Sequence, residues 1–216
     1  MTETTRDYDW LDGVLMDLDR VLGTALGRPA QASRPYPAEN LPEPALTPAQ
    51  RRHAAGLMRV DHAGEVAAQA LYNAQAVTAR STRVRQAMRQ SALEEVDHLA
   101  WCERRLGELN DRASLLRPFW YLGSFAIGAL AGACGDRWSL GFVAETERQV
   151  VRHLDSHLSR LPAADGKSRA VLTQMRKDEG CHATTAVRAG GAPLPGPVAR
   201  LMTLCARVMT GTSYYL

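Results

Sequence analysis

The chain has 216 residues, 45% hydrophobic, 23% charged and 6% aromatic, with a formal net charge of +3. That length and apolar share support one domain with a sizeable core and exclude a disordered or fibrous chain. The small net charge names no polyanionic partner, so no nucleic acid is expected; Cys102, Cys134, Cys181 and Cys205 are scattered without a C-x-x-C pair, which excludes a zinc ribbon and fits a reducing compartment.

The N-terminus, Met1 to Asp7, is polar and has no apolar stretch of the kind a signal peptide needs, so a cytoplasmic location is expected. Over residues 7–26, Trp10, Val14, Leu15, Leu18, Val21, Leu22 and Ala25 recur at helical spacing, which predicts an amphipathic N-terminal helix. Residues 28–48 carry six prolines and predict an extended linker wrapping the body. We divide the chain into residues 1–46, the helix and linker, and residues 47–216, a helical domain.

Thr47-Pro48 is a helix start, with Thr as N-cap and Pro in the first turn. A long helix is predicted from there to about residue 79, carrying Glu65, and a second over about 82–109, carrying Glu95 and His98. From Pro118 to Gly135 there are 18 residues without a charge. That is at the threshold for a membrane span, but the segment is rich in glycine and joins two hairpins. As a helix it reaches about 27 Å, one bundle length, so it is read as a crossover helix with Phe119, Trp120, Tyr121 and Phe125 exposed. A third bundle helix is predicted over about 138–160, carrying Glu147, and a fourth over about 167–188, carrying Glu179 and His182. A last amphipathic helix is expected over about 197–210.

One pattern occurs twice. Glu65 precedes Glu95-Val96-Asp97-His98, and Glu147 precedes Glu179-Gly180-Cys181-His182. Positions i and i+3 share a helix face, so each Glu-x-x-His can aim two ligands inward. In a four-helix bundle, two such pairs and two lone glutamates make a di-iron or di-manganese carboxylate site. The spacing agrees, because each lone Glu and its Glu-x-x-His lie about equally far from the turn between them. The fold class is therefore all-α, a ferritin-like four-helix bundle with an apolar crossover helix and an apolar C-terminal helix. Carboxylate-rich sets suit iron or manganese better than zinc. Glu145 competes with Glu147 on sequence alone. Glu94 lies about 100° round the helix from Glu95 and is read as a surface group, as are His157 and His53. His62 offers a mirrored His-x-x-Glu reading with Glu65, although a supporting role suits it better. His153 is a candidate supporting partner near Glu147.

The run Arg59-Val60-Asp61-His62-Ala63-Gly64-Glu65, with Glu95-Val96-Asp97-His98, Glu147 and Asp178-Glu179-Gly180-Cys181-His182, resembles the demethoxyubiquinone hydroxylase family, the di-iron monooxygenases of ubiquinone biosynthesis. The resemblance covers about residues 50–216 and leaves 1–45 without a role. It implies two irons per chain held by Glu65, Glu95, His98, Glu147, Glu179 and His182. It also selects Glu147 over Glu145 and gives His153 a supporting role near the metals. The implied reaction uses O2 and an electron donor to hydroxylate the ring of a polyprenylated methoxy-benzoquinol. Such a substrate lives in the bilayer, so the enzyme is expected as a peripheral protein on the cytoplasmic face of the bacterial cell membrane. Docking through residues 118–135 and 197–210 follows, and a complex with other ubiquinone-biosynthesis proteins fits the same setting. The rival readings are an iron-storing or iron-detoxifying protein, a manganese catalase-like peroxide-removing enzyme, and a lipid-binding assembly factor without chemistry.

Overall fold

In the computed structural model, Gly23, Thr24 and residues 31–216 are described. The expected N-terminal helix over 7–26 therefore lies almost wholly outside the described residues. Among those described there are six long helices and no strand.

Helix α1 (Pro48–Thr78) starts on a complete capping box: the Thr47 hydroxyl accepts from the Gln50 amide at 3.3 Å, and the Gln50 side chain accepts from the Thr47 amide at 3.0 Å. Its Ala- and Gly-rich sequence lets neighbours approach closely, and it is buried along most of its length from Ala54 to Ala76. A short link leads to α2 (Thr82–Glu108). Ser81 makes no capping bond of its own. Asp136 instead accepts from the backbone amides of Arg80 at 2.9 Å and Ser81 at 2.8 Å, fixing the turn from across the bundle. Asn110, at φ 58°, takes the left-handed conformation that ends α2.

Helix α3 (Arg117–Ala133) crosses back along α1 to α4 (Asp136–Arg160), and α5 (Gly166–Arg188) closes the second hairpin. Two of the three glycines of α3, Gly128 and Gly132, lie where a side chain would collide with α1. A Cβ at Gly128 would sit 2.7 Å from the Leu71 carbonyl oxygen, so the helix presses on the backbone of α1 there. The expectation for this segment needs one correction. Phe119 is 71% exposed, but Tyr121 is buried at 1%; its hydroxyl accepts from Asn73, and Phe125 stacks on it, half-buried. Trp120 is half-buried as well. The solvent face of α3 is Phe119, Leu122, Ile127 and Leu130. Helix α6 (Gly196–Ser213) packs on α1 and α4 and exposes Leu201, Leu204 and Val208. No described helix is long and apolar enough to cross a membrane.

Residues 31–47 lie on the bundle. Tyr36 and Ala38 are buried in the same apolar cluster as Leu57, Trp101, Leu106, Leu154 and Leu172. A second apolar cluster, around Tyr72, Met88, Leu140 and Val143, fills the other end of the bundle. Glu65, Glu95, His98, Glu147, Glu179 and His182 fall between the two, at mid-height, as equal distances from the turns require.

Candidate metal centre

Helix periodicity turns one Glu-x-x-His of α2 and one of α5 toward each other, with Glu65 of α1 and Glu147 of α4 facing them. His98 Nδ1 lies 2.9 Å from Glu95 Oε2, 2.9 Å from Glu179 Oε1 and 3.3 Å from Glu65 Oε2. His182 Nδ1 lies 3.1 Å from Glu179 Oε2 and 3.4 Å from Glu95 Oε1. Ligand atoms of Glu65, Glu95, His98 and Glu179 all fall within 4.8 Å of one another. Glu147 completes the wall, and its Oε1 accepts from the Tyr72 hydroxyl at 2.5 Å. All six side chains are buried except the edge of His182. Three of the inward oxygens, Glu95 Oε1, Glu147 Oε2 and Glu179 Oε1, are buried without a hydrogen-bond partner. Buried carboxylate oxygens are normally satisfied, so converging unsatisfied ones fit a cation between them.

The far side of each imidazole is held by the opposite hairpin. His98 Nε2 on α2 faces Asp178 of α5 at 3.2 Å, and His182 Nε2 on α5 faces Glu94 of α2 at 2.7 Å. A carboxylate on one ring nitrogen fixes the tautomer and leaves the other nitrogen free to ligate. Glu94 was read as a surface group. Its side chain is 40% exposed, but it is a partner of His182, reached across the bundle rather than along its own helix. Asp178 stands in the run that carries the resemblance but has no role assigned there, and Tyr72 is not among the candidates of the sequence analysis. An acidic residue directly precedes each Glu-x-x-His, Glu94 before Glu95 and Asp178 before Glu179, and that doublet was the available signal.

Residues 52–213 match the family model described as ubiquinone biosynthesis protein COQ7. The chain belongs to this family. It is 56% identical over 206 residues to a 3-demethoxyubiquinol 3-hydroxylase of Nitrosospira multiformis, covering 95% of this chain and 99% of the relative. Proteins of the same name from Dechloromonas aromatica and Nitrosococcus oceani are 55% and 53% identical, over 94% and 98% of this chain and 98% and 99% of theirs.

The electrostatics of this COQ7-family cluster follow from four acids and two imidazoles held away from water. Burial pushes the carboxyls of Glu65 and Glu147 well up. Burial would raise Glu95 too, but the charge of His98, its hydrogen bond to Glu95 Oε2 and the nearby His182 ring outweigh it and hold Glu95 below the usual range. Burial opposes a charge on either imidazole. Glu95, Asp178 and Glu179 nonetheless raise His98 well up, and Glu179 and Glu95 push His182 up to about 12. The acids around them thus favour the protonated form of both histidines, and such protons must leave when a metal binds. Metal affinity is expected to rise from pH 6 to pH 8, with about two or more protons released per loaded site. Metal titrations at pH 6, 7 and 8 in weak buffer check this, and a pH-independent affinity would contradict it.

The remaining candidates sit elsewhere. Glu145 is engaged by Gln149 and Arg152, leaving Glu147 as the buried acid of α4. His62 is buried, and burial lowers its pKa; its Nε2 faces Glu103 at 3.3 Å rather than the six-residue cluster. His53, read as a surface group, is half-buried and pairs with the Tyr214 hydroxyl at 2.7 Å. His157, also read as a surface group, is buried at 2%: α4 turns it inward onto Asp61, 2.8 Å away. His153 faces the same Asp61 at 3.6 Å, and burial pushes it down to about 4.

Proposed function

We infer that this chain is a 3-demethoxyubiquinol 3-hydroxylase, on the observation that a carboxylate–histidine cluster able to hold metal sits mid-bundle in a chain that covers such relatives almost end to end. Glu65, Glu95, His98, Glu147, Glu179 and His182 would hold two irons. Four carboxylates balance two divalent ions in charge, which suits a buried site. When bound, the irons supply the O2 chemistry that places one oxygen atom on the ring, with electrons from a donor. The protein's own part is positional. Asp178 and Glu94 fix the ring tautomers of His98 and His182, Tyr72 holds Glu147 by its hydroxyl, and the two apolar clusters keep bulk water from the bundle ends.

A cavity of about 1210 Å³ reaches the cluster, lined by Val66, Leu99, Val143, Tyr72 and His182 among others. Arg34, Glu94, Asp97, Glu103, Arg117 and Asp178 line it as well, so it offers polar contacts to a quinol ring beside apolar wall for the start of an isoprenoid tail. The iron-loaded protein, given demethoxyubiquinol, a reductant and isotopically labelled O2, is expected to yield a product carrying one labelled oxygen. An unaltered quinol, with O2 spent on mineralising iron, would favour the storage reading instead.

A polyprenyl-tailed substrate would lie in a bilayer, so the reading includes peripheral docking of the enzyme on the cytoplasmic face of a bacterial membrane. The exposed apolar side chains of α3 and α6 are the docking faces. Burying one Leu- or Phe-sized side chain contributes about 1.5–3 kcal/mol, so Phe119→Asp with Leu122→Asp is expected to release the protein from liposomes while the iron stays bound. Flotation assays measure this, and binding equal to wild type would place the docking face elsewhere.

A further inference from the structure

A second set of metal-ligating side chains lies outside the six-residue cluster. Asp61 is one turn before Glu65 on α1, and His153 and His157 share a face of α4 at i, i+4. Their ligand atoms, Asp61 Oδ1, His153 Nε2 and His157 Nδ1, lie within 4.8 Å of one another. We propose that Asp61, His153 and His157 form a third, mononuclear metal site for a divalent cation of the zinc class, separate from the pair of irons and sharing no ligand with them.

Two observations distinguish this from a buried ion pair. The first is orientation. His157 Nδ1 is 2.8 Å from Asp61 Oδ1, yet neither atom has a hydrogen-bond partner of acceptable geometry, and Asp61 Oδ2 and His153 Nε2 have none either. The side chain of Asp61 is completely buried. An ion pair aims its N–H at the oxygen, whereas metal ligands aim at a common point beside them. The unsatisfied inward atoms of Glu95, Glu147 and Glu179 show the same signature in the six-residue cluster. The second is spacing. Two ligands at about 2.0–2.1 Å from a tetrahedral ion lie about 3.3 Å apart, and the Asp61 oxygen is 2.8 Å and 3.6 Å from the two nitrogens.

The donor set identifies the ion. Two imidazoles and one carboxylate suit zinc or cobalt, whereas calcium and magnesium require more oxygens. The His153 side chain is 31% exposed, so an ion can enter from solvent and keep a water in its fourth position. Bound there, it ties α1 to α4. The site does not overlap the iron centre, because Asp61 lies about 6 Å along α1 from Glu65 and His157 about 15 Å along α4 from Glu147.

The test loads the purified protein with iron, equilibrates it with Zn2+ or Co2+, removes free metal, and counts both metals per chain. Wild type is expected to retain one zinc or cobalt beyond its iron, with the intense visible bands of low-coordinate Co2+. His157→Gln and Asp61→Asn should lose that equivalent and its bands while iron content is unchanged. Glu95→Ala should do the reverse, losing iron and keeping the extra equivalent, which separates this proposal from the iron assignment. No retained equivalent in wild type, or an equivalent undiminished in His157→Gln, overturns it. The Co2+ spectrum of wild type decides the matter even if Asp61→Asn does not fold.

Discussion

Glu95→Ala and Glu179→Ala are each expected to abolish hydroxylation and lose most bound iron. Both side chains are buried, and each contacts His98 and His182. Removing either leaves two imidazoles facing a gap and an unbalanced buried charge, so the loss is not confined to one ligand bond. The neighbouring acids give graded controls. Asp178→Ala and Glu94→Ala remove the carboxylates behind His98 and His182 and are expected to weaken iron binding by about 10–100-fold. Glu145→Ala, which removes a carboxylate paired with Gln149 and Arg152, should leave iron and activity intact. Iron content and initial rates on the purified variants measure the series. Full activity in Glu95→Ala would refute the ligand assignment.

Arg105→Ala carries the largest expected cost to folding. Its guanidinium is fully buried at the end of α2 and meets Asp165 at 3.0 Å, Glu108 at 2.9 Å, Glu43 at 3.1 Å and the Ser168 hydroxyl at 2.9 Å. Asp165 also caps α5 and is fully buried, so deleting the arginine strands its charge. Breaking a buried pair from one side costs about 3–5 kcal/mol, which for a chain of this size lowers the melting temperature by roughly 6–20 °C. Arg105→Lys keeps the charge but not the fork of donors and should fall between. Thermal melts of the metal-free proteins measure both. A shift below about 1 kcal/mol would mean the network behaves like an exposed pair.

The bundle and the six-residue cluster were legible because both rest on local periodicity. Thr47-Pro48 opens α1 where the sequence places a cap, Leu161 to Gly166 separates α4 from α5, and i, i+3 spacing aims Glu95 with His98 and Glu179 with His182. What sequence reasoning missed depends on contacts between elements far apart in the chain. Glu94 faces off its own helix's site face and still supports His182, because α5 brings that ring to it. His157 is buried because α1 offers Asp61 at the same height, which no pattern within α4 reveals. Tyr121 looked like a membrane-facing aromatic in an uncharged run, but the close approach at Gly128 rolls that face of α3 onto α1. Of the glycines that argued against a span, Gly128 and Gly132 set the close approach of α3 to α1.

The crossed support of the two imidazoles has a consequence for how the protein is made. His98 emerges from the ribosome long before Asp178, and Glu94 long before His182. The first hairpin, once folded, therefore holds an imidazole with no outer carboxylate and half a set of ligands. Synthesis must reach residue 178 before His98 has its partner and residue 182 before the second pair exists. The full set of six candidate ligands therefore exists only once residue 182 has been made.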